Sequence, residues 1–192
     1  EAKKLEAAGL DEYTIMDSAG TMLPDQAAAY TEALADALSI PVAFHCHNNL
    51  GLSAANALAA WQNGAAILDC GLMGMARSAG NLATEVCVAL MQRHGEMKDI
   101  DLFGMLDFIE NRLQPAMAAH NYHNPISPTD LTLGYSGCHS SFLKLFKKAA
   151  AEKGVNLFRL ITEVSAANQK NPSEELIAQT ADRLIKAQKE EA

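Results

Sequence analysis

At 192 residues the chain can bury one good core with room for a small second lobe. Apolar residues make up 49% and charged residues 20%, and no run reaches the roughly 18 apolar residues of a membrane helix. A net charge of −8 argues against a nucleic-acid partner, because phosphate binding needs a basic surface. The first stretch, Glu1 to Gly9, reads as the end of a helix with a glycine stop. It begins without methionine and does not read as a secretory signal, so a fragment is the expectation. Tyr13 to Asp17 reads as a strand, and a helix follows from Pro24, a favourable first-turn residue. Its expected buried face is Ala27, Tyr30, Leu34 and Leu38. A strand over 41–45, a helix over 52–62, a strand over 65–69 and a helix over 82–93 come next.

Strand starts therefore recur about every 25 to 30 residues, each strand nearly all apolar, which is the pattern of a parallel sheet covered on both faces. A complete (β/α)8 barrel needs about eight such units and about 250 residues, and three are visible. Residues 1–100 are expected to be later β/α units of a TIM barrel, and 101–192 a helical C-terminal domain. Leu102, Met105, Leu106, Ile109 and Leu113 form one helical face, and 121–138, rich in Pro, Gly and Asn, reads as loop. Three more helices are expected over 142–150, 155–166 and 173–189. Asn171, Pro172 and Glu174 supply the chemistry of an N-cap, N1 and N3.

Polar residues gather where the strands end: Asp17 and Ser18, His45 and His47, then Asp69 onward. In barrels the chemistry gathers at that face. His45 and His47 are two apart in an extended segment, so both rings should leave the same side while Cys46 faces the other. Two such imidazoles suit a metal; the alternative is a pair of hydrogen-bonded core histidines. A catalytic metal usually takes a third protein ligand, and no candidate is obvious here, although Asp17 is on the neighbouring strand. Cys46, Cys70, Cys87 and Cys138 are widely spread with no CxxC pair, which fits reduced thiols in a cytoplasmic protein and excludes a zinc ribbon.

MDSAG at 16–20, FHCHNNLGLSAANALAA at 44–60 and AGN at 79–81 resemble the barrel lyases and synthases that act on carbon–carbon bonds beside a carbonyl, using a divalent metal. That superfamily includes 3-hydroxy-3-methylglutaryl-CoA lyase, isopropylmalate synthase and 4-hydroxy-2-oxovalerate aldolase. Within it, DSAG and GYSGCHSSFLK at 134–144 resemble the aldolase family. The resemblance implies aldol cleavage of a 4-hydroxy-2-oxo acid to pyruvate and an aldehyde, as in the catabolism of aromatic hydrocarbons. It implies that His45 and His47 bind the metal, with His45 also near substrate, and that Ser18 touches the pyruvyl group. His139 falls where the family carries a substrate-side tyrosine, and Arg77 departs from the family's Gly-Ala-Gly-Asn loop. The family's arginine, metal-binding aspartate and base belong to an earlier strand with no counterpart before Ser18. Two imidazoles and a carboxylate suit Mn²⁺, with Co²⁺ or Mg²⁺ as alternatives. The resemblance further implies an oligomer, and an acetaldehyde dehydrogenase docked on the C-terminal domain. The alternatives are an acyl-CoA lyase or synthase on the same barrel, and a non-catalytic assembly module.

Overall fold

The structure, a computed structural model, describes residues 1–120, 122 and 128–190. It divides into two compact units, residues 1–126 and 127–192.

The first unit opens with helix α1 (Ala2–Ala7), closed by Gly9 at φ +97°, and strand β1 (Tyr13–Asp17). Helix α2 (Pro24–Ala37), strand β2 (Val42–Cys46), helix α3 (Ser53–Gln62) and strand β3 (Ile67–Leu68) follow. The strands lie parallel in the order β1-β2-β3, with Met16 opposite His45 and Phe44 opposite Leu68. Parallel strands require crossovers, and α2 and α3 supply them, so this unit has the strand order and connections expected of a section of a (β/α) barrel. Its core joins Ile15, Val42, Phe44 and Cys46 to Ala27 of α2 and Ala57 and Ala60 of α3. Alanines on the helix faces let the helices sit close to the sheet, and each large side chain such as Phe44 contributes about 1.5–3 kcal/mol by leaving water.

Several expectations need correction. The third strand is shorter than 65–69, because only Ile67 and Leu68 complete the ladder. Even so, the Ala66 amide donates to the Val42 carbonyl and the Asp69 amide to Phe44 at either end of it. Tyr30 was expected in the core and is 52% exposed. It lines a groove with Met16 and Leu34 beside β1, the edge strand, where no other described element covers it.

Helix α4 (Thr84–Arg93) buries Cys87, Val88 and Met91. Beyond it, the single helical face read over 102–113 is instead α5 (Leu102–Phe108), a π-helical turn (Ile109–Leu113) and α6 (Gln114–Ala118). Only Ile109 of that face is buried, and Leu106 is 41% exposed. Extra residues in the π turn rotate the pattern out of helical register.

The second unit is helical: α7 (Pro128–Ser136), α8 (Leu143–Lys153), α9 (Leu157–Ala167) and α10 (Glu174–Glu190). Part of the loop read over 121–138 lies outside the described residues, but 128–136 are helix. Pro128 is a first-turn residue rather than a breaker, and Leu133 is fully buried. Leu160, Ile161 and Val164 of α9 face Ile177, Ala181 and Leu184 of α10 and Phe146 and Ala150 of α8. The caps are explicit. Gly154 ends α8 in the left-handed region at φ +66°, and Asn156 Oδ1 accepts the Arg159 amide at 3.0 Å to start α9. At α10 the cap is Ser173, whose Oγ accepts the Leu176 amide at 3.2 Å, and not Asn171. The Asn171 amide is turned back to Asn168 Oδ1.

Candidate metal centre

His45 is the penultimate residue of β2, and His47 lies just beyond the strand, pinned from both sides. The His47 amide donates to the Asp17 carbonyl at 3.2 Å, and an isolated antiparallel bridge sets His47 opposite Asn81. The two imidazole centroids are 5.5 Å apart with planes at 75°, so both rings share one side as the two-residue spacing requires. Cys46, between them, is buried in the core. Burial, with Asp17 and Asp69 nearby, pushes its thiol up to about 12, and its place in the core sets it apart from the imidazole side.

The turn after β1 is shaped to fit this segment. The Asp17 carboxylate is buried and accepts the Thr21 and Met22 amides at 2.9 and 3.1 Å. Its role is to fold the turn back, which engages the carboxylate that neighbours the histidines. Gly20 sits at φ +63°, and a Cβ there would meet the Asn49 amide nitrogen at 2.8 Å and the His47 carbonyl at 2.9 Å. Only glycine allows both that conformation and that approach. Ser18 is exposed in this turn, at the strand end that also carries His45 and His47.

Asn48 and Asn49 tie the histidine segment to its surroundings. The Asn48 amide donates to the Gly80 carbonyl at 2.8 Å, and its side-chain oxygen accepts the Ser53 amide at the start of α3. Asn49 is buried and donates to Ser78 Oγ at 2.8 Å. The loop from Gly71 to Ala83 holds two non-glycine residues in the left-handed region, Met73 at φ 56° and Ser78 at φ 60°. Such positions cost about 1–2 kcal/mol each and concentrate where a loop is held for function.

Two residues that pattern reading left without a role complete the picture. Asp69 Oδ2 lies 2.6 Å from His45 Nδ1. Asn81 pairs with His47 across the bridge, and its Oδ1 is buried with no hydrogen-bond partner among the described residues. A buried carbonyl oxygen left without a donor is costly and is the kind of atom that a cation satisfies. AGN was visible as a motif, but only the pairing with His47 shows what Asn81 is beside.

The donor set can be tested against a metal. With metal–nitrogen bonds of about 2.1 Å, two imidazoles on one ion have centroids roughly 4.5–5.5 Å apart, and the observed 5.5 Å fits. Among the described residues no three His, Cys, Asp or Glu side chains are grouped to hold a metal. The two imidazoles have the spacing that two ligands of one ion would need, and Asn81 is bridged to one of them through the backbone.

His139 belongs to the second unit. There its Nδ1 accepts the Ser141 amide at 3.2 Å and lies 2.8 Å from Ser141 Oγ, capping the short 3₁₀ turn Ser140–Phe142. Elsewhere in the first unit, the Cys87 thiol and the Thr84 hydroxyl stabilise the thiolate of half-buried Cys70, bringing it down to about 6. No helix among the described residues is long and apolar enough to cross a membrane.

Comparison with known proteins agrees with this architecture. Residues 1–110 match the family model described as HMGL-like, and residues 125–186 match the DmpG-like communication domain. The chain is 38% identical over 184 residues to 4-hydroxy-2-oxovalerate aldolase 2 of Nocardia farcinica, covering 96% of this chain and 52% of that protein. It is 42% identical over 165 residues to 4-hydroxy-2-oxovalerate aldolase of Chloroflexus aurantiacus, covering 85% and 47%. The chain therefore spans about half the length of the curated relatives it matches. In fold it is similar to the carboxyl transferase domain of Rhizobium etli pyruvate carboxylase solved with pyruvate and biocytin. The TM-score is 0.74 at 19% identity, covering 95% of this chain and 33% of that one.

Proposed function

We infer, for a chain that belongs to the HMGL-like family, that it carries half of the metal site of a 4-hydroxy-2-oxo acid aldolase releasing pyruvate and an aldehyde. The observation that carries this is the pair of imidazoles on one side of a strand end, 5.5 Å apart with planes at 75°, with Asn81 bridged to His47 and its side-chain oxygen buried without a partner among the described residues. The relatives' names support the substrate class. His45, His47 and Asn81 would hold a divalent ion, Mn²⁺ best suiting neutral imidazole and carbonyl donors without thiolate. When bound, such an ion would supply Lewis-acid polarisation of the carbonyl of a 2-oxo acid. Ser18 would contact the pyruvyl end, and His139 is proposed to bear on the choice of aldehyde. We place the remaining ligand, the enolate-binding arginine and the base in barrel strands outside these 192 residues. We propose a functional division into barrel units over 1–100 and a helical domain over 101–192, which differs from the compact units by assigning the helices of 102–118 to the second part. The match over 125–186 to a communication domain supports docking of an acetaldehyde dehydrogenase by that helical domain; we further propose that the assembly is an oligomer in the cytoplasm.

The test is pyruvate release from 4-hydroxy-2-oxovalerate with added Mn²⁺. It uses the chain joined to the preceding barrel segment of the Chloroflexus relative, and the 192 residues alone. The joined protein should turn over, and His47→Ala should slow it by about two orders of magnitude or more, since a fixed metal is worth several kcal/mol. The 192 residues alone should give next to nothing. Turnover that survives His47→Ala would overturn the metal assignment, and robust turnover by the 192 residues alone would overturn the half-site reading.

A further inference from the structure

The geometry points to Asp69 as a positioning residue that fixes the tautomer and ring orientation of His45, so that Nε2 is the nitrogen offered to the metal. This rests on the proposed metal site and adds to it a residue with no role there so far. His45 Nδ1 and Asp69 Oδ2 are 2.6 Å apart, a short, charge-assisted distance. An ionised carboxylate only accepts, so Nδ1 must carry the proton and Nε2 must keep its lone pair. Without such a partner a neutral imidazole can place its proton on either nitrogen and its ring can turn over. A metal ligand that carries its proton on the ligating nitrogen does not bind.

Asp69 is held where it can do this by backbone alone. Its amide donates to the Phe44 carbonyl at 3.0 Å, one residue before His45, so the β2–β3 register sets the carboxylate beside the ring. The Asp69 side chain is 57% exposed while that of His45 is 12% exposed. Its removal would therefore leave no unpaired charge in the core and no cavity, and the fold should tolerate it. His47 reaches the same side by a different route, its backbone bridged to Asn81.

The test compares wild type, Asp69→Ala, Asp69→Glu and His45→Ala in two measurements. The first is the tautomer of His45 by ¹⁵N spectroscopy of histidine-labelled protein, without metal, at a pH where the imidazole is neutral. The second is Mn²⁺ affinity by titration. Wild type should show a protonated Nδ1 and a bare Nε2. Asp69→Ala should shift the proton toward Nε2 and weaken Mn²⁺ binding about 10- to 100-fold, with Asp69→Glu recovering part of both. An Asp69→Ala protein with the wild-type tautomer would overturn the positioning role. Mn²⁺ binding that is indifferent to His45→Ala would instead overturn the metal site. The tautomer, read without metal, separates the two failures.

Discussion

Asp17, Thr31, His47, Asn49, Ser53 and Asn56 are all buried in the first unit, whereas among described residues the second unit buries only Ser165 and Thr180. The second unit has the arrangement expected where stability is the requirement: an aliphatic core of Leu160, Ile161, Val164 and Ile177 around Phe146, with capped helices. Burying a polar group costs free energy unless it is hydrogen-bonded. The first unit answers most of that cost with specific partners, Asp17 on two amides and Asn49 on Ser78, and leaves the Asn56 and Asn81 side-chain oxygens without a partner among the described residues, as the second unit leaves the Ser165 hydroxyl. Polar burial thus concentrates at the carboxyl ends of the strands, where it shapes a site rather than a core. The two units should accordingly separate under mutation: one set of changes should touch stability alone, the other stability and metal binding together.

The largest effect is expected in the helical unit. Phe146→Ala removes a fully buried ring and should destabilise that unit by about 3–5 kcal/mol. Urea denaturation followed by circular dichroism reads the loss. Mn²⁺ affinity of the folded protein should stay within about twofold of wild type, well under the tenfold that 1.4 kcal/mol represents. A large fall in affinity would show that the units are not energetically separate.

Gly20→Ala tests the other side of the comparison. Its Cβ would press on the Asn49 amide and the His47 carbonyl from a left-handed backbone, so a cost of about 1–3 kcal/mol is expected. Here Mn²⁺ affinity should fall as well, because the segment that must give way carries both histidines. Loss of stability with unchanged affinity would mean that the turn supports the fold and not the site.

Asn156→Ala, which deletes the α9 cap, should cost about 1 kcal/mol without any change in metal binding. A shift in urea midpoint at constant slope is the readout.

The smallest structural effect belongs to the thiols, and it has a definite pH dependence. The Cys70 thiol is lowered to about 6, so its thiolate predominates above that pH and is lost as pH falls through it. The initial rate of iodoacetamide labelling at Cys70 should therefore be nearly flat from pH 7 to 8 and drop below about pH 6. Cys46, pushed up to about 12, should remain unlabelled in the native protein. Mass spectrometry of peptides after brief alkylation distinguishes them, and labelling of Cys46 before Cys70 would contradict the packing described here.

Much of the fold was legible because burial and periodicity coincide in it. The apolar run of β1 begins and ends where expected, and β2 is displaced by a single residue. The helices of the second unit follow from apolar residues at three- and four-residue spacing. The failures share a cause. The Pro, Gly and Asn content of 121–138 reads as loop, yet a proline at the first turn starts a helix at Pro128, and packing on Leu133 outweighs one glycine. Asn171 and Ser173 are both good caps, and only the observed hydrogen bond separates them. Tyr30 and Leu106 lie on faces that periodicity finds, while what covers a face is a tertiary matter. The histidine pair was legible from its two-residue spacing and strand-end position. Asp69 and Asn81 were not, because the first is set against His45 by strand register and the second against His47 by a bridge from a distant loop.

The central claim is that His45 and His47 bind one metal ion together. Electron spin-echo spectroscopy of the Mn²⁺-loaded protein, with and without ¹⁵N-histidine, tests it directly. The account predicts modulation from two imidazole nitrogens that changes with the isotope, falls to one in His47→Ala, and vanishes in the His45→Ala/His47→Ala double variant. Tightly bound Mn²⁺ with no histidine modulation, or with modulation that persists in the double variant, would contradict it.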